Sequence, residues 1–121
     1  MNQVTPAEMS AQFSFSELMH RCMGNETLAK KMARLFISHL EQDLLSIRVA
    51  IDQKDWVQVT SLAHRLKGTA ATVSADPLSR SVGQLEKSAR IGDEVAVSQA
   101  WDEIQSTTQL LHSAMGKIDL A

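Results

Sequence analysis

The sequence predicts an all-α fold, an antiparallel up-down-up-down four-helix bundle with an additional short N-terminal helix. Three observations predict it. Only two prolines and five glycines occur in 121 residues, so little of the chain is suited to turns. The stretches between them are rich in Ala, Leu, Glu, Gln, Lys and Met, the strongest helix formers. Apolar residues recur at three- and four-residue spacing, with no alternating strand pattern, hairpin dipeptide or internal repeat. An apolar share of 44% over this length is enough for one domain with a real core.

The elements follow in order. Residues 1–12 are polar and small without periodicity and are expected to form a flexible leader; the domain spans 13–116, and 117–121 form a C-terminal tail. "FSFSELMHRCMG" reads as a short helix with Phe15, Leu18, Met19 and Cys22 on one side, stopped by Gly24, with Asn25 as the next N-cap. The second helix is predicted from Glu26 to Ile51. Its apolar stripe runs through Leu28, Met32, Leu35, Phe36, Leu40, Leu44, Ile47 and Ile51, in two offset halves.

Asp55 caps a third helix beginning at Trp56. In "SADPLS", Asp76 is expected at the N-cap and Pro77 at the first helical position of a fourth helix. That helix carries Leu78, Val82, Leu85 and Ala89 at helical spacing and ends near Gly92. The fifth starts at Asp93, presents Val97, Ala100, Trp101, Ile104, Thr108, Leu111 and Met115, and ends at Gly116.

Charge and composition exclude several classes of partner. A net charge of −2 and a pI near 6.0 give no basis for nucleic-acid binding, which needs a clustered basic face. No apolar run is long enough to span a bilayer, and "MNQVTPAEMS" has neither the basic start nor the apolar segment of an export signal. A cytoplasmic location follows as the expectation. The single Cys22 cannot form an intrachain disulfide and is read as a small helix-face residue rather than a reactive thiol.

One stretch conflicts with its surroundings. "AHRLKGTAATVS" lies within the third helix, yet Gly68 interrupts it four residues after His64. A helix-interior glycine costs about 1 kcal/mol relative to alanine. On a helical wheel Val59, Leu62, Ala63, Leu66, Ala70 and Val73 form the buried stripe, with Trp56 just outside it. His64 falls about 140° from its centre, toward solvent. Gly68 lies on the same outer side one turn on, flanked by Thr60 and Ala71, while Lys67 sits between the histidine and the stripe. Bulk has been cleared around one exposed imidazole, so another molecule can approach its nitrogen. Neutral imidazole is a good nucleophile, and attack on a phosphoryl group would give a phosphoramidate that can be passed on. Lys67 could place an ammonium near the phosphoryl oxygens.

These residues carry a resemblance. "LAHRLKGTAATV" resembles the His-x-x-Lys-Gly signature of histidine-containing phosphotransfer domains, the HPt modules of multistep phosphorelays. "DWVQVTSLAH" is similar to that family's approach to the active helix, and "FSFSELMHRCMGNETLAKKMARLF" to its opening, with Phe36 in a familiar place. The likeness covers residues 13 to about 90. It implies an antiparallel four-helix bundle that acts as a phosphoryl carrier without its own ATP site, not as an enzyme. It implies His64 as the phosphorylated residue, Lys67 as its electrostatic support and Gly68 as the partner contact; the wheel adds Thr60 and Ala71, beside them, as partner-binding positions. Its partners would be response-regulator receiver domains, with a hybrid histidine kinase as a further donor. It would bind no nucleic acid or membrane and would act as a monomer. It would need no cofactor of its own, Mg2+ being supplied by the receiver. The family often has glycine where this chain has Ser74; Asp76-Pro77 is expected to end the helix instead.

The rival readings are a histidine-kinase dimerisation domain and a helical adaptor that never carries phosphate. The first typically has an acidic residue after the histidine and a proline shortly beyond, where this chain has Arg65 and Thr69. The adaptor remains the alternative. His20, His39 and His112 have no metal-ligand spacing, and His39 reads as a partly buried residue at the core edge.

Overall fold

Four helix ends in this chain are built alike, and that shared geometry lays out the bundle. The computed structural model describes residues 12–116, and among them five helices and no strands occur. They are α1 (Phe15–Arg21), α2 (Glu26–Asp52), α3 (Trp56–Thr72), α4 (Asp76–Arg90) and α5 (Glu94–Gly116). The leader expected over 1–12 lies outside the described residues except for Gln12, and the tail at 117–121 lies wholly outside them.

Each of the first four helices closes with the paired hydrogen bonds of a Schellman turn, which satisfies its last carbonyls. The longer of the two runs from Gly24 N–H to Met19 O, Asp55 N–H to Ala50 O, Ala75 N–H to Ala70 O and Asp93 N–H to Ser88 O, at 2.8–3.1 Å. The left-handed residue this requires is Met23, Lys54 and Ser74 in the first three, and glycine only at Gly92. Gly24 follows Met23 and has a positive φ of its own, 81°, so α1 ends on two consecutive residues of positive φ. Ser74 itself takes the left-handed conformation, with φ of 63°, in place of the expected glycine. Asp76-Pro77 does not end α3; the turn at 73–75 does.

The next helix starts directly from each turn. Asn25, Asp55 and Asp93 accept from Leu28, Gln58 and Ala96 N–H at 3.0–3.2 Å, as N-caps do. Asp76 is not a cap. It is the first residue of α4, because the Schellman turn places Ala75 at the cap and Pro77 next within the first turn.

The buried faces follow the predicted stripes on α3, α4 and α5. Val59, Leu66, Leu78, Val82, Leu85, Val97, Ile104 and Leu111 are all buried. α2 departs from expectation. Its buried face is Ala29, Ala33, Phe36, Leu40, Ile47 and Ala50, while Leu28 and Leu35 are 42% and 50% exposed. The alanines share the helical register of Phe36 and Leu40, so Leu28 and Leu35, each one residue before a buried position, both fall about 100° to the same side. His39 is likewise exposed rather than partly buried, its Nδ1–H donating to the Leu35 carbonyl at 2.9 Å. Cys22 is buried, 3.6 Å from the Met32 sulfur. No described helix is long and apolar enough to cross a membrane.

Candidate functional site

α3 and α4 pack closely and run antiparallel, since residues rising along one meet residues falling along the other. Ser79 Oγ–H donates to the Lys67 carbonyl at 3.0 Å and helps fix their register. The α3 wheel is as the sequence predicts. Ala63, Leu66 and Ala70 are buried, whereas the His64 side chain is 70% exposed.

Beneath that histidine lies a residue the wheel of α3 could not supply. Glu86 of α4 is only 4% exposed, and three cationic or basic groups converge on its carboxylate. Lys67 Nζ donates to Oε1 at 2.7 Å. Arg90 Nη2 donates to Oε2 at 3.0 Å, and His64 Nδ1 lies 2.9 Å from the same oxygen. A buried carboxylate costs several kcal/mol unless it is paired and hydrogen-bonded, and here both oxygens are engaged.

The Lys67 hydrogen bond, joined by that from His64 and by both positive charges, holds the Glu86 carboxyl below its ordinary value of 4.5, against the opposing effect of burial. Ionised at neutral pH, it can only accept. In the neutral ring the proton is therefore on His64 Nδ1, and Nε2 keeps its lone pair.

The space above the ring is open. Nothing outside its own helix lies within 4 Å of where a Cβ on Gly68 would stand. Thr60 and Ala71 are half-buried on either side, and the Thr60 hydroxyl is turned back onto the Trp56 carbonyl at 2.7 Å. Toward the C-terminal end of α3, a groove of about 380 Å³ runs between α2 and α3, lined by Met32, Leu35, Phe36, His39, Thr69 and Thr72 among others. The exposure of Leu35 contributes to that groove.

The structure thus brings His64, Lys67 and Gly68 to one face, as their spacing predicts, and adds Glu86 and Arg90. A clue to Glu86 was present in the sequence. It lies four residues after Val82 and three before Ala89, so it is a carboxylate on an apolar stripe.

The described helices form a bundle in which His64 is exposed and held by the buried carboxylate of Glu86. The Hpt domain family model matches residues 31–115, and the chain belongs to that family. Hpt domains are phosphotransfer modules that work with response-regulator receiver domains and kinases. Comparison with curated proteins and with solved structures returns no match.

Proposed function

We propose that His64 carries the phosphoryl group of a phosphorelay, taking it on Nε2 from a receiver-domain aspartyl phosphate, or from a kinase, and giving it to another receiver. The observation that supports this most directly is the commitment of Nδ1 to a buried carboxylate on a ring that is otherwise exposed. As the Nε2 lone pair attacks phosphorus, the N–P bond forms and the P–O bond to the aspartate breaks, its electrons leaving with the carboxylate. The ring becomes cationic with its proton still on Nδ1, and Glu86 stabilises that charge without taking the proton. Transfer onward reverses these steps on a second aspartate.

Lys67 binds the same carboxylate as His64, and its ammonium would support a phosphoryl group on the ring, where fixed positive charge favours the loose transition state. Gly68, Thr60 and Ala71 form the approach, and the α2–α3 groove extends it with apolar surface for the receiver. The receiver would bring its own acidic pocket and Mg2+. The carrier would act as a cytoplasmic monomer.

The test is incubation with a receiver charged from acetyl phosphate, followed by mass spectrometry for an acid-labile phosphate. The expected result is one phosphate on His64 that is lost in acid and absent from His64→Gln. A wild-type protein that stays unmodified while binding the receiver would replace this reading with that of an adaptor.

A further inference from the structure

α4 contains a glycine that neither its backbone nor its helix accounts for. Gly83 lies mid-helix, half-buried, and is not among the residues with positive φ. Alanine would serve α4 better at such a position. The difference is what lies opposite. A Cβ at Gly83 would stand 3.3 Å from Lys67 Cδ, closer than ordinary van der Waals contact, and would meet nothing else within 4 Å outside its own helix backbone. From that point the stem ends at Glu86 Oε1, 2.7 Å from Nζ and one turn along α4.

We propose that Gly83 is a positioning residue for phosphotransfer: its missing side chain leaves a notch on α4 in which the Lys67 stem lies, keeping the ammonium at the Glu86–His64 pair. The inference rests on the carrier reading above and adds how the lysine is held ready. A lysine side chain has four rotatable bonds and normally extends into water. Here the Ser79 hydroxyl holds its carbonyl, the notch receives its stem, and Glu86 binds its charge. When a phosphoryl group arrives on Nε2, the ammonium is already held at the carboxylate that binds the same ring. Arg90 remains on Glu86 and keeps the buried carboxylate paired throughout.

The test uses Gly83→Ala and Gly83→Leu, each made in the wild-type chain and in Lys67→Ala. Two measurements are taken: the rate of phosphate uptake from a charged receiver, and the rate at which an amine-reactive reagent labels Lys67, read by mass spectrometry. Leucine should displace the stem, speed Lys67 labelling and slow uptake by about fivefold, the effect of losing one partly exposed charge contact. Alanine should act in the same direction and more weakly. In the Lys67→Ala background neither substitution should slow uptake further, because the notch is then empty. Uptake unchanged by leucine, or slowed equally with and without Lys67, would overturn the proposal. Should the leucine variant fail to fold, the alanine variant answers the same question. If wild-type His64 takes no phosphate at all, the carrier reading fails instead, and labelling alone decides the notch: unchanged Lys67 reactivity defeats it.

Discussion

Gly68 and Gly83 are both helix-interior glycines near His64, and they do opposite things. Gly68 is on the outer face of α3 and opens onto solvent; Gly83 is on the inner side of α4 and opens onto Lys67. One clears space for an incoming molecule, while the other makes room for a side chain the domain already has. The difference teaches that residue type alone does not identify a binding face. An absent side chain matters through whatever would have met it.

The most severe way to test the outer face is to remove its nucleophile. His64→Gln should abolish acid-labile phosphate and move stability by no more than about 0.5 kcal/mol, because the ring is largely exposed. Thermal melts alongside the transfer assay check both halves; a large drop in melting temperature would make His64 a structural residue. Gly68→Gln should come next. Its side chain would project into the approach one turn from the ring, and steric exclusion at an interface can cost several kcal/mol. Transfer should fall by orders of magnitude with helicity intact, and receiver binding measured by calorimetry should weaken in step. Transfer at the wild-type rate would remove Gly68 from the docking face.

Glu86→Gln tests the inner side. It should slow phosphate uptake by about tenfold, a difference of about 1.4 kcal/mol, by removing the negative charge that holds Lys67 and stabilises the cationic ring. It should also change acid sensitivity. Because the folded protein holds the Glu86 carboxyl below 4.5, its ionised form stabilises the fold above that pH, and the contribution is lost as pH falls through the lowered value. Wild-type stability should therefore decline more steeply below pH 4.5 than that of the glutamine variant. Parallel acid titrations by circular dichroism would detect the difference, and superimposable curves would mean that the carboxylate contributes nothing. The smallest effects expected are gains in stability. Gly68→Ala should add up to about 1 kcal/mol from helix propensity. Ser74→Gly should add a similar amount by relieving a left-handed serine, about 1–2 kcal/mol less the entropy of glycine.

The sequence was most informative where one helix decides the outcome. The α3 wheel placed His64, Gly68 and the buried stripe correctly because exposure on a single helix follows from spacing alone. It failed where two helices meet. Glu86 and Gly83 acquire their meaning from α3 residues 22 and 16 positions earlier, His64 and Lys67, and periodicity within α4 carries no information about that pairing. On α2, size misled: Leu28 and Leu35 look like core residues, but Ala29 and Ala33 occupy the buried register. The turns were legible through their caps more than through glycine, since Met23, Lys54 and Ser74 adopt a conformation their side chains do not advertise.

The three-residue turn at 73–75 also works as a ruler. His64 and Glu86 lie equally far from Ala75 along the chain, and so do Lys67 and Gly83. The site is thus two rungs of one antiparallel ladder, and its alignment is set by the length of the link at its end. One residue inserted between Thr72 and Asp76 would oblige α4 to turn by about 100° and slide by about 1.5 Å to keep helical continuity. Val82 and Leu85 resist such a turn because their burial fixes the face of α4 that meets the core. The inserted residue would therefore have to bulge out of the link. Chain length at this one turn is thus held fixed by hydrophobic packing, and the chemistry two to three helical turns away inherits its alignment from it.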